Sequence, residues 1–103
     1  MIGTPFYIAP EVFNDKPYSF EADIWSLGVL LYEMCCLEYP FNPKDSDNDA
    51  MFGLMNAVNN GKFKDLPSCY SDELKLLLKH MLNQDRNNRP NINQICSFPL
   101  IKG

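Results

Sequence analysis

The chain has 103 residues, 46% of them hydrophobic and 21% charged, which fits one globular domain, or a piece of one, able to bury roughly 65% of its unfolded surface. Nine basic against thirteen acidic side chains leave a net charge of −4. Nucleic acid or an anionic membrane would need a basic face to replace condensed cations, so neither is expected as a partner.

The opening Gly3-Thr4-Pro5-Phe6-Tyr7-Ile8-Ala9-Pro10-Glu11 holds two prolines and a glycine and reads as a shaped loop that ends in a helix start. A loop over 14–19 follows, then a helix from about Glu21 to Leu37 that is apolar on nearly every side, with Asp23 near its start and Pro40 just past its end. Such a helix is expected at the centre of a fold, surrounded by other elements. Its apolar run Ile24 to Tyr32 stops at Glu33, well short of the ~20 residues that cross a bilayer. After a loop over 39–48, a shorter helix from about Asp49 to Asn59 is stopped by Asn60-Gly61. Past the loop over 62–70, Ser71 can cap a helix in which Leu74, Leu77, Leu78, Met81 and Leu82 follow i, i+3, i+4, i+7 and i+8. A last helix, about Ile92 to Ser97, begins after Pro90-Asn91 and ends before Pro99. No strand pattern of comparable strength occurs.

The residues offer little chemistry of their own. Asp45, Asp47 and Asp49 resemble the start of a calcium loop, but Ala50 stands where its glycine belongs and Asn56 where its closing glutamate belongs; the loop is expected to cap the helix that follows. His80, the only histidine, lies off the apolar stripe and reads as solvated. Cys35, Cys36, Cys69 and Cys96 include no C-x-x-C pair and read as reduced thiols packed as small hydrophobes. The first residues show no charged region followed by an apolar stretch, so a cytoplasmic setting is the default. Glycines at positions 3, 28, 53, 61 and 103 form no phosphate-cradling loop. The expected catalytic, cofactor-binding and metal residues are therefore none.

Three stretches resemble, in order and spacing, the C-terminal lobe of eukaryotic protein kinases: Gly3-Thr4-Pro5-x-Tyr7-x-Ala9-Pro10-Glu11, then Asp23-Ile24-Trp25-Ser26-Leu27-Gly28, then Asp85-x-x-x-Arg89-Pro90. A-P-E is a kinase signature, and Gly-Thr-Pro before it resembles the serine/threonine-directed class. Asn14-Asp15-Lys16-Pro17-Tyr18-Ser19, Leu31-Tyr32-Glu33-Met34-Cys35 and Leu66-Pro67-x-x-Tyr70-Ser71 look like the NIMA-related (Nek) kinases. The resemblance implies a mainly α fold, the helical C-lobe of the protein-kinase-like fold without its β-rich N-lobe. Residues 1–103 would be a partial protein kinase domain, from the end of the activation segment through the last C-lobe helices. The glycine-rich loop, the V-A-I-K lysine, the H-R-D loop and D-F-G do not occur in it. The chain alone is therefore expected to be inactive, Mg-ATP being a cofactor of the intact family.

Matched residues carry implied roles. Gly3, Thr4, Pro5, Phe6, Tyr7 and Ile8 would form the substrate-positioning loop, with Thr4 bonding the catalytic aspartate and lysine and Phe6 to Ile8 receiving the residue after the phosphoacceptor. Glu11 would form a structural ion pair with Arg89. Asp23 would anchor the catalytic-loop backbone to the central helix, and Trp25 would pack beside A-P-E, whereas Arg86 reads as solvated. The implied reaction is transfer of the ATP γ-phosphoryl group to a serine or threonine of a protein substrate. The alternative is a non-catalytic interaction or regulatory module derived from a truncated kinase. It would bind a protein partner or itself through the surface a missing N-lobe covers, with Trp25, Leu27 and Leu30 left open.

Overall fold

The computed structural model describes residues 5–44 and 48–98; Gly3, Thr4, Asp45 and Asp47 lie outside them. A 3-10 turn over Pro5–Tyr7 leads into the short helix α1, Pro10–Phe13. Pro10 suits the first turn of α1, because its fixed φ is already helical and its missing N–H would have no partner there. Helix α2 spans Phe20–Cys36, α3 Ala50–Asn60, α4 Asp72–Met81 and α5 Ile92–Cys96, with a second 3-10 turn over Arg86–Asn88. The fold is mainly α, and no strand occurs among the described residues.

Local chemistry sets most of the helix ends. Asp49 caps α3 by accepting from the Met51 and Phe52 amides, Ser71 caps α4 through the Leu74 amide, and Asn91 forms a reciprocal capping box with Gln94 on α5. Asp49 thus does the capping expected of its loop. Gly61 closes α3 in the left-handed region at φ 76°, where a side chain would strain the backbone. Leu37 closes α2 at φ 59° without that freedom.

Most of the core gathers around one flank of α2. Trp25, Val29 and Tyr32 pack with Phe41, Leu54, Val58, Leu66, Leu78 and Leu82, while Ile24 joins Leu77, Met81 and Ile95 in a neighbouring cluster. Helices α2 and α4 cross closely at Gly28, where an added Cβ would stand 3.0 Å from Met81 Cβ. The Tyr32 hydroxyl donates to the Lys64 carbonyl at 2.5 Å, tying the 62–70 segment to α2; burial pushes that phenol up to about 12.

Three expectations are corrected. Helix α2 is not enclosed: Phe20, Leu27, Leu30 and Met34 are exposed, because the described elements cover only its other flank. Trp25, expected to be left open with Leu27 and Leu30, is wholly buried. The cysteines divide, Cys35 and Cys36 half-buried against the core, Cys69 and Cys96 exposed and not packed.

Candidate functional site

Glu11 and Arg89, 78 positions apart, meet in a two-point pair: Arg89 Nη1 donates to Glu11 Oε2 at 2.8 Å and Nη2 to Oε1 at 2.7 Å. Their side chains are 6% and 0% exposed, respectively. A guanidinium carries five N–H donors, and each has an acceptor here. Beyond the carboxylate, Nε donates to the Asn83 carbonyl at 2.8 Å, Nη1 to Glu21 at 2.8 Å and Nη2 to Gln84 at 3.4 Å. The guanidinium also lies 5.0 Å from the centroid of the Trp25 ring, within range of a cation–π attraction.

The local sequence prepares both partners. Glu11 follows Pro10 in the first turn of α1, where the helix dipole favours a carboxylate. Arg89 precedes Pro90, which drives it out of the helical region, and its backbone sits at φ −78° and ψ 146°. Burial pushes the Glu11 carboxyl up; the hydrogen bonds and charge of Arg89 outweigh burial and hold it below its ordinary 4.5.

N-terminal to Glu11, the Pro5–Tyr7 turn is fastened to α2 at two points. Ser26 Oγ donates to the Tyr7 carbonyl at 2.7 Å, and the Tyr7 hydroxyl donates to the Glu33 carboxylate. That bond, with burial second, raises the Tyr7 phenol well above its usual range. Phe6 stacks on Tyr39 with ring centroids 4.1 Å apart and planes 6° from parallel, and Tyr7 meets Tyr39 edge-on at 5.8 Å. Ile8 is half-buried beside them.

Trp25 stacks on Phe41 at 5.3 Å, in the cluster that contains Ala9; its Nε1 is the one buried side-chain polar atom without a partner among the described residues. Asp23 stands exposed on α2 and accepts from the Tyr18 hydroxyl, which raises that phenol. His80 is exposed. Arg86 is half-buried rather than solvated, because its Nη1 reaches the Pro17 carbonyl at 2.9 Å. Sequence reasoning passed over Ser26, Glu33 and Tyr39, the residues that fasten the turn. Ser26 and Glu33 stood inside quoted motifs, but nothing in their spacing signals a hydrogen bond to a loop 19 or 26 positions away.

No group of three or more His, Cys, Asp or Glu residues converges on a point among the described residues, and the scattered glycines supply no run of amides for phosphate. The arrangement can hold a turn rigidly on a helix and present its outer surface to another chain.

The profile of the Protein kinase domain family matches residues 1–101, and the chain belongs to that family. Among curated proteins it is 40% identical over 102 residues to the serine/threonine-protein kinase Nek4 of Mus musculus, covering 99% of this chain and 12% of that protein. It is 41% identical over 100 residues to Nek2 of Homo sapiens, covering 97% and 21%. With the putative serine/threonine-protein kinase A of Trypanosoma brucei brucei it shares 41% over 99 residues, covering 96% and 22%. The chain thus spans between 12% and 22% of these relatives' lengths. No described helix is long and apolar enough to cross a membrane.

Proposed function

We propose that this chain is part of a serine/threonine protein kinase domain, supplying its substrate-positioning loop and C-lobe helices. The family reaction is transfer of the γ-phosphoryl group of ATP to a protein serine or threonine, achieved largely by positioning and charge stabilisation. The observation that carries the proposal is the buried, fully bonded Glu11–Arg89 pair together with a turn fastened to α2. It gives the segment Pro5 to Ile8 a rigid base, so that a protein substrate meets a formed surface. Asp23 and Trp25 act as central-helix anchors in the same scheme. ATP binding and the phosphoryl step are assigned to residues other than these 103, and the setting is cytoplasmic. The experiment is calorimetry with Mg-ATP and a radiolabel transfer assay on a basic protein. Both are expected to be blank for this chain alone, and transfer that survives repurification would overturn that division of labour.

A second reading, a non-catalytic interaction module, is favoured by one observation, the exposed apolar face of α2. Contiguous exposed apolar surface marks an association site.

A further inference from the structure

Three segments far apart in sequence, α1 with the turn after it, the end of α3 and the turn after α4, enclose an open groove of 440 Å³, a size usual for ligand pockets. Side chains tie its walls together. Asn14 Nδ2 donates to Asn59 Oδ1 at 3.2 Å, Gln84 Nε2 to the Val58 carbonyl at 2.9 Å, and Arg86 Nη1 to the Pro17 carbonyl at 2.9 Å. Gln84 lies over Gly61, where an added Cβ would stand 2.6 Å from its Cδ. The turn after α1 closes as a Schellman motif: the Lys16 amide donates to the Glu11 carbonyl at 2.9 Å and the Asp15 amide to the Val12 carbonyl at 3.2 Å, with Asp15 left-handed at φ 62°. That closure folds the chain back on α1 and sets Lys16 in the groove wall.

Charge and polarity decide what fits. The charged residues of the lining are Glu11, Lys16, Asp85 and Arg86. Glu11 is neutralised by Arg89, and both Asp85 oxygens are held within their own turn, by the Asn87 amide at 3.0 Å and Asn88 Nδ2 at 3.4 Å. Exposed Lys16 and half-buried Arg86 are in no ion pair among the described residues. Two cations without a carboxylate therefore share one groove, in a chain whose net charge is −4. A phosphate monoester, with about −1.5 to −2 charge and three acceptor oxygens, matches an arginine and a lysine together better than a carboxylate does. The rest of the lining is Pro10 and the carboxamides of Asn14, Asn59, Gln84 and Asn87. Carboxamides donate and accept, so they can pair with a peptide backbone. A nucleoside base, a phosphotyrosine ring or a lipid chain would find no apolar wall beyond Pro10.

We propose that this groove binds a polypeptide segment carrying a phosphorylated serine or threonine, its phosphate held by Lys16 and Arg86 and its backbone by the carboxamides. None of the residues from Pro5 to Ile8 lines the groove, so the proposal stands apart from the substrate-positioning reading. It gives the chain a second hold on protein, one that depends on phosphorylation of the partner and not on catalysis by this chain.

The test uses this chain and a short fluorescein-labelled peptide, uncharged apart from one central phosphoserine, with matched peptides carrying serine or glutamate there. Fluorescence anisotropy should show saturable binding of the phosphopeptide, at least about tenfold tighter than either matched peptide and weakened near about 0.5 M salt. Lys16→Met and Arg86→Met should each weaken it about tenfold, whereas Lys62→Met, at an exposed lysine outside the groove, should leave it unchanged. Because Arg86 also holds Pro17, circular dichroism checks that variant, and the exposed Lys16 decides the matter if it unfolds. Equal binding of the phosphoserine and serine peptides, or equal losses in Lys16→Met and Lys62→Met, overturns the proposal. A glutamate peptide that binds as tightly as the phosphopeptide overturns the assignment of a phosphate. Inorganic phosphate that displaces the peptide at the peptide's own binding concentration shows the free ion to be the ligand, and overturns the assignment of a polypeptide.

Discussion

Replacing either member of the Glu11–Arg89 pair should cost this chain a large part of its stability. In Glu11→Gln, Arg89 keeps its charge in a site where its side chain is wholly unexposed, with a neutral amide in place of the carboxylate. In Arg89→Met, the Glu11 carboxylate loses both charged bonds, and the Asn83, Glu21 and Gln84 carbonyls lose donors. Breaking a buried pair from one side costs about 3–5 kcal/mol, whereas an exposed pair loses only ~0.2–1 kcal/mol. A chain of this size has on the order of 5–15 kcal/mol in all, so each variant should be close to unfolding. The double variant strands no charge and should lose less than the sum by about 0.5–3 kcal/mol, the range seen for residues in contact. Urea melts of the four proteins, compared at equal m-value, give each free energy. Simple additivity, or single losses below about 1 kcal/mol, would refute the reasoning that a desolvated, directly coupled pair holds α1 to the segment after α4.

Three further outcomes follow from other parts of the fold. Gly28→Ala gains about 1 kcal/mol of helix propensity but sets a Cβ 3.0 Å from Met81 Cβ and 3.1 Å from Leu82 Cδ2, and overpacking costs about 1–3 kcal/mol; a net loss is expected in thermal melts, and a rise in Tm would contradict the close α2–α4 crossing. Leu37→Gly should add about 1 kcal/mol by relieving a left-handed backbone, since Leu37 is 89% exposed and has little packing to lose; a loss would show that its side chain matters. Because the folded Glu11 carboxyl lies below its ordinary 4.5, its contribution is complete above that value and disappears as pH falls through the lower folded value. Urea melts stepped down in pH should therefore show a steeper loss below about 4.5 in the parent than in Glu11→Gln, and equal slopes would contradict the direction of the shift.

What was legible in the sequence depended on range. Helix α4 could be read from Leu74, Leu77, Leu78, Met81 and Leu82, because one turn of helix links those positions and Ser71 supplies a local cap; four of the five are buried and Leu74 is half-buried. Helix α2 begins and ends within one residue of its expected bounds. Its open face was not legible: composition shows that a helix is apolar all round, not which neighbours are there to cover it. The 3-10 turn over Pro5–Tyr7 was read as loop, since three residues carry no periodicity. Arg86 misled for a related reason, because a carbonyl 69 positions away gives no local sign of itself. Proximity of Glu11 and Arg89 was visible only through the order of the kinase motifs. The fastening of Tyr7 by Ser26 and Glu33 was not foreseen, since period and propensity do not encode which helix face a distant loop will meet.

The measurement that tests the central claim most directly is a graft. The stretch of this chain that aligns over 100 residues with human Nek2 replaces its counterpart there, and the chimera is assayed for Mg-ATP binding and for phosphorylation of a general protein substrate. If the chain is a kinase C-lobe with a formed substrate-positioning loop, the chimera should bind Mg-ATP and transfer phosphate within about tenfold of the parent, ~1.4 kcal/mol in the barrier. A folded chimera that binds Mg-ATP with parental affinity yet transfers nothing would contradict it.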